Sequence, residues 1–134
     1  MITHLLDTSV YSQPLRKRPL PSVIERWMKL GDSALCISAV CEAELLFGLE
    51  KFDHERAWTD YRSLLENRLV ILPVDKAVSA AYGRLRNQVE RAGTPRTDFD
   101  LLIAATAIAH DLTLATCNIR HFKNLPGLRA ESWV

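Results

Sequence analysis

The chain of 134 residues has an ordinary globular composition, with 48% hydrophobic residues, 25% charged residues and a net charge of +1. Five glycines and six prolines are too few for a fibrous or disordered protein. A chain of this length buries one core and has no room for two. We therefore expect a single domain over residues 1–134.

Cysteine usage and the N-terminal sequence predict the compartment. Cys36, Cys41 and Cys117 are odd in number and form no CxxC pair, which argues against a disulfide framework and against a zinc knuckle. The first residues contain an acid, Asp7, in place of a basic signal-peptide start, and no apolar run approaches ~20 residues. We expect a cytoplasmic protein that is neither secreted nor membrane-spanning.

Short apolar runs alternate along the chain with longer segments of helical periodicity. This alternation predicts an α/β/α sandwich, in which a central parallel sheet of about five strands is covered by helices. The predicted strands are 3–6, 35–38, 70–74, 113–116 and 128–130. The predicted helices begin after Ser22, cover about 39–52 and 54–69, run from an Asp75 cap through Val89, and run from a Thr97 or Asp98 cap over 101–109.

Four polar positions that lie far apart in the sequence are predicted to meet at one edge of this sheet. Asp7 ends the first strand, Glu44 lies early in the helix after the second, Asp100 begins the helix before the fourth strand, and Asn118 follows that strand. We expect the crowded carboxylates to raise one another's pKa, and we expect a bound cation to offset their mutual repulsion. Oxygen ligands suit Mg²⁺ or Mn²⁺, which activate water for phosphodiester hydrolysis.

Four segments carry a resemblance to a known family. They are Leu6–Ser9, Ile37-Ser38 followed by Ala43–Gly48, Asp100–Ala105, and Leu114–Phe122 followed by Pro126-Gly127-Leu128. Each fragment is weak alone, but their order and spacing over the whole chain resemble the PIN-domain family, and in particular its VapC-type toxins.

The resemblance implies a metal-dependent endoribonuclease toxin of a type II toxin-antitoxin system. Members of that family use Mg²⁺ or Mn²⁺, commonly cut structured RNA such as transfer RNA, form homodimers, and are inhibited by a VapB-like antitoxin. By the same resemblance, Asp7, Glu44 and Asp100 are the metal-binding and catalytic acids. Many PIN domains have a fourth Asp at the position where this chain has the uncharged Asn118. Asp98 either compensates for the missing charge or caps helix 101–109.

Further polar residues have two alternative roles each. The hydroxyls of Ser9 and Thr116 hold an acid or a phosphate, or satisfy local backbone groups; the same holds less strongly for Thr8. Glu42, two residues from Glu44 on one helix, is predicted to face solvent.

Basic residues are predicted either to contact RNA phosphates or to serve solubility alone. Residues 1–30 contain five basic and two acidic residues, whereas residues 31–75 contain four basic and nine acidic ones. The four histidines show no ligand spacing and are assigned to the surface or to packing. The cations considered for phosphate contact are Arg16, Lys17, Arg18, Arg96, Arg120 and Lys123.

Two alternatives remain open at this point. A phosphotransferase of the haloacid dehalogenase type also places an Asp after its first strand, but its second Asp would fall at Ser9. A catalytically silent PIN-like interaction module is the other alternative, and the uncharged Asn118 is its only support.

Overall fold

A five-stranded sheet forms the centre of the computed structural model, which describes residues 1–134. Its spatial order is β3-β2-β1-β4-β5, and every neighbouring pair of strands runs parallel. The predicted fold class is confirmed. The strands are β1 (His4–Leu6), β2 (Leu35–Ser38), β3 (Val70–Leu72), β4 (Thr113–Thr116) and β5 (Arg129–Ser132).

Helices cover both faces of the sheet, because successive strand residues point to opposite sides. Leu6 of β1 packs into a core cluster with the first four helices, whereas its neighbour Leu5 packs with the last two. None of the helices combines the length and the apolar character needed to cross a membrane. The helices are α1 (Thr8–Tyr11), α2 (Pro21–Leu30), α3 (Ala39–Phe52), α4 (Glu55–Leu64), α5 (Lys76–Arg91) and α6 (Asp98–Ala109).

Hydrogen-bonded side-chain caps fix where helices α3, α5 and α6 begin. Ser38 ends β2 and at once caps α3, since its hydroxyl accepts from the Cys41 N–H at 3.0 Å. Asp75 caps α5 as predicted, and of the two proposed caps of α6 it is Thr97 that accepts from the Asp100 N–H. Glu44 and Asp100 consequently lie near the starts of helices that meet the same sheet edge.

Two helix boundaries differ from the sequence expectation. Helix α4 ends at Leu64, well before residue 69, because Asn67 adopts φ 61° and Arg68 Nη1 donates to the Leu64 carbonyl at 3.2 Å. Helix α2 begins at Pro21, whose fixed φ suits a first helical position, and no side chain caps it. The expected start after Ser22 is therefore wrong by two residues.

The two edge strands also differ slightly from prediction. Strand β3 stops at Leu72, after pairing with β2 from Cys36 to Ser38. Strand β5 runs to Ser132, because residues 129–132 pair with the full length of β4.

Candidate acidic site

Asp7 is the first residue after β1 and the N-cap of α1. It is only 4% exposed, and its carboxylate accepts three hydrogen bonds: from Val10 N at 3.1 Å, from Ser9 Oγ at 2.5 Å and from Thr116 Oγ1 at 2.5 Å. Burial raises the pKa of Asp7, and these hydrogen bonds oppose the rise. The carboxylate is therefore held in one orientation and has no cationic partner.

The two hydroxyls that hold Asp7 also satisfy backbone groups of the strand end beside it. Ser9 Oγ accepts from Cys117 N at 2.9 Å, and Thr116 Oγ1 accepts from Asn118 N at 2.8 Å. The two roles weighed for Ser9 and Thr116 thus occur together, because each hydroxyl donates to the acid and accepts from an amide. Together they join the carboxyl ends of β1 and β4.

Glu44 lies in the second turn of α3 and is half-buried. Its Oε1 accepts from the Thr8 hydroxyl at 2.7 Å. The pKa of Glu44 is raised chiefly by burial; the Thr8 hydrogen bond opposes this, and the negative charges of Asp100 and Asp7 add to it. The negative charges of both other acids therefore act on Glu44. Thr8, whose functional role the sequence supported less strongly than those of Ser9 and Thr116, donates the hydrogen bond that orients Glu44.

Asp100 completes the group from the first turn of α6. Its side chain is 21% exposed, and its Oδ2 lies 3.3 Å from Nδ1 of His121 in the turn after β4. Sequence reasoning assigned His121 to the surface or to packing and missed this contact. No spacing pattern could have revealed it, because only the docking of α6 beside β4 brings the two residues together.

The two remaining candidates are placed differently. Asn118 lies at the predicted edge, but its side chain is exposed and does not cap the turn Ile119–His121 that follows it. Asp98 lies near Asp100 in sequence, yet its carboxylate accepts from the Tyr82 hydroxyl at 2.7 Å and lies 3.3 Å from Arg86 Nη1. Asp98 is thus engaged with α5, and its predicted alternative role as the helix N-cap is wrong.

The prediction that Glu42 faces solvent is also wrong. Its carboxylate accepts from the Tyr61 hydroxyl at 2.9 Å and from the Tyr11 hydroxyl at 3.3 Å. Burial, together with the nearby Glu42 carboxylate, raises the pKa of Tyr61 to about 12. Glu42 and Glu44 do point in different directions, but α1 and α4 cover the Glu42 side.

The donor set at the rim consists of oxygens alone, which suits a hard divalent cation. No three His, Cys, Asp or Glu side chains are arranged closely enough to grip a metal ion directly. Mg²⁺ binds proteins through one or two carboxylates and keeps several of its waters. Acids that are too far apart to bind one ion directly, but close enough to interact electrostatically, therefore suit a hydrated ion. Burial, and not the expected crowding, is the larger cause of the raised pKa values of Asp7 and Glu44.

This chain combines a parallel α/β fold with an acidic site whose ligands are all oxygens. The acids lie at strand ends and helix starts along one edge of the sheet, and this combination defines its class of domain. The PIN domain model matches residues 4–128, and the chain belongs to the PIN-domain family. The resemblance drawn from the sequence motifs is confirmed. Membership of this family removes the haloacid dehalogenase alternative.

Individual relatives and solved structures show which PIN-domain proteins this chain resembles. The chain is 32% identical over 134 residues to the tRNA(fMet)-specific endonuclease VapC of Salmonella typhimurium, covering 99% of each protein. It is 36% identical over 120 residues to toxin FitB of Neisseria gonorrhoeae, covering 84% of this chain and 85% of FitB. A chain in the crystal structure of VapBC2 from Rickettsia felis bound to a promoter DNA fragment superposes with a TM-score of 0.88 at 33% identity, covering 100% of both chains.

Proposed function

We propose that this protein is a divalent-metal-dependent endoribonuclease of the VapC type, which acts as the toxin of a type II toxin-antitoxin system. The observation that carries the proposal is that Asp7 after β1 and Asp100 on α6 lie near enough to Glu44 on α3 for their charges to help raise its pKa. None of the three acids pairs with a Lys or Arg, and such acids in a PIN domain are suited to holding a cation against a phosphate.

Mg²⁺ or Mn²⁺ is the expected cofactor, held by Asp7, Glu44 and Asp100. When bound, such an ion lowers the pKa of a water and stabilises charge on the phosphate and the leaving oxygen. The chain's own residues orient the ligands: Ser9 and Thr116 hold Asp7, and Thr8 holds Glu44. His121 Nδ1 lies 3.3 Å from Asp100 Oδ2, and Asn118 brings only a neutral oxygen to the same edge.

The names of the relatives support the substrate and the partner. VapC of Salmonella typhimurium is a tRNA(fMet)-specific endonuclease, and the Rickettsia felis chain comes from a VapBC2 complex bound to DNA. We infer that this protein cuts RNA, with transfer RNA as the first substrate to test, and that a VapB-like antitoxin inhibits it. A homodimer is the expected assembly.

Cleavage of labelled transfer RNA by the purified protein tests the proposal, with Mn²⁺ or with a chelator. We expect cleavage only with metal, and a loss of at least about 100-fold in each of Asp7→Asn, Glu44→Gln and Asp100→Asn. Glu50→Gln and Asp53→Asn are matched controls, because they make the same chemical changes at exposed positions. Expression of the same set in cells should arrest growth only where cleavage is retained.

Each negative outcome identifies which part of the proposal is wrong. Cleavage that survives in all three soluble acid variants means that the site is wrong. Folded wild-type protein that cleaves no RNA with any divalent metal revives the silent interaction module, for which Asn118 remains the structural argument. Growth arrest that a co-expressed antitoxin from a neighbouring gene fails to relieve contradicts the proposed partner.

A further inference from the structure

A basic groove lies beside the acidic rim, between the loop after α1 and the start of α4. We propose that it is a subsite for RNA, which binds backbone phosphates of nucleotides next to the one that is cut. This inference rests on the ribonuclease function proposed above and extends it to substrate positioning. The groove has a volume of about 580 Å³, and its charged or titratable lining residues are Arg16, Lys17, His54, Arg56 and Asp60.

Three of these side chains, Arg16, Lys17 and Arg56, are always charged, and only one acid opposes them. That acid, Asp60, lies 4.0 Å from Arg56 Nε in an exposed contact, which neutralises little. Arg16 and Lys17 have no carboxylate partner, and the single polar contact of the Arg16 side chain is a 3.5 Å approach to Ser12 Oγ. In a chain of net charge +1, this is a local concentration of unpaired positive charge.

The basic groove adjoins the acidic site on its Glu44 side. A second cavity of about 480 Å³ shares Leu15, Arg16 and Ala57 with it and is also lined by Thr8 and Glu44. Arg16 therefore stands where the two cavities join. A strand whose cleaved phosphate lies at the acids would pass Arg16 on leaving them.

An electrostatic observation agrees with this position of Arg16. Burial raises the pKa of Cys117; the Ser9 hydrogen bond and, as the smallest cause, the positive charge of Arg16 oppose the rise. Cys117 directly follows Thr116, whose hydroxyl holds Asp7. The Arg16 charge thus acts at the carboxyl end of β4 as well as in the groove.

The loop that presents these cations is fixed at its base by a buried glutamine. Gln13 is 5% exposed; its Nε2 donates to the Ser9 carbonyl at 3.1 Å, and its Oε1 accepts from Leu20 N at 2.9 Å. Leu15 and Leu20 pack against the core on the same face of the sheet. The cations are consequently presented on a preformed loop, which lowers the entropy cost of binding a strand.

Arg96, another arginine considered for phosphate contact, is occupied elsewhere. Its guanidinium donates to the carbonyls of Thr94 at 2.6 Å, His121 at 3.2 Å and Lys123 at 3.1 Å. Arg96 therefore joins two loops and has little capacity left for a ligand. The contrast with Arg16 and Lys17 favours the basic groove over this position.

Charge-removal variants with a matched control test the subsite. Arg16→Ala/Lys17→Ala removes two charges from the groove, and Arg84→Ala/Arg91→Ala removes two exposed charges from α5 on the other face of the sheet. Binding of a labelled single-stranded RNA of about 20 nucleotides is measured by anisotropy, with chelator, over a range of salt concentrations. We expect the groove variant to bind about tenfold more weakly and its logarithmic salt slope to fall by about 1.4, while the control matches wild type.

Cleavage with Mn²⁺ gives a second readout. On the long RNA the groove variant should show KM raised about tenfold with kcat unchanged, and on a dinucleotide, which lacks flanking phosphates, it should match wild type. Arg56→Ala, at a side chain that is 85% exposed on α4, should reproduce the effect in part if the double variant folds poorly.

The outcomes separate this inference from the proposed function. Equal RNA affinity and equal salt slopes for the groove variant and its control overturn the subsite. Unchanged RNA affinity with lost inhibition by the antitoxin also overturns it and makes the groove a protein interface. A wild type that cleaves no RNA refutes the ribonuclease, whereas metal-free binding that weakens only in the groove variant still supports the RNA subsite.

Discussion

The Thr116 hydroxyl donates to Asp7 Oδ2 at 2.5 Å and so joins the ends of two adjacent parallel strands. The other oxygen of Asp7 accepts from Ser9 Oγ and from Val10 N. Both hydroxyl bonds favour the ionised carboxylate and work against the burial that raises its pKa. The orientation and the charge of Asp7 therefore depend on residues that are not themselves acids.

Thr116→Val should shift the acid limb of the pH–rate profile to higher pH. The variant keeps the shape of the side chain but removes a bond that lowers the pKa of Asp7, so a proton competes with metal at higher pH. At pH 6 we expect kcat/KM to fall about tenfold. Thr106→Val is the control, because this buried hydroxyl donates only to the Leu102 carbonyl at 2.8 Å. An unmoved acid limb in Thr116→Val would show that the bond does not tune Asp7.

Asp7→Asn should stabilise the metal-free protein at neutral and higher pH. Because the folded-state pKa of Asp7 is raised above its ordinary 3.8, ionisation costs stability. That cost is absent below pH 3.8 and is complete above the folded-state pKa. Relief of ~1 kcal/mol would raise Tm by about 4 °C at pH 8.

Thermal melts with chelator at pH 4 and pH 8 check this prediction, and the gain should shrink at pH 4. Added Mn²⁺ should reverse it, since wild type gains binding free energy that the variant loses. Asp53→Asn makes the same change at an exposed residue and should show no such pH dependence. If Asp7→Asn melts lower than wild type at both pH values, the hydrogen bonds of the carboxylate outweigh its burial cost.

Thr8→Val should weaken Mn²⁺ binding about tenfold. The Thr8 hydroxyl is the group that orients Glu44, and its loss also lets the pKa of Glu44 rise further. Calorimetric titration with Mn²⁺ measures the effect. Thr59→Val serves for comparison, because that exposed hydroxyl donates only to the Glu55 carbonyl. Equal affinities for the two variants would remove Glu44 from the metal site.

Asn118→Asp should tighten Mn²⁺ binding by about fivefold, because it adds a charge at the carboxyl end of β4 beside the residues that hold Asp7. The same titration applies, with Asn87→Asp on the exposed side of α5 as the control. A change that is no larger than in the control would place the residue 118 side chain outside the site.

The sequence alone determined the layers, the parallel sheet and the elements on which the three proposed acids lie. Strand and helix periodicities reflect burial on one or both faces, so they can be read without coordinates. Helix α3 occupies the predicted residues 39–52, and Asp7 and Asp100 lie at their predicted strand end and helix start. Parallel connections then bring these positions to one edge, whatever the packing details.

Tertiary structure alone decided which side chains meet there. Glu42 and Glu44 both leave α3, yet only the docking of α1 and α4 gives Glu42 two tyrosine donors. His121 reaches Asp100, and Asp98 turns to α5, through contacts between elements that no spacing encodes. Periodicity specifies the face on which a residue lies, whereas a hydrogen bond requires atoms within about 3 Å, and that depends on how separate elements pack.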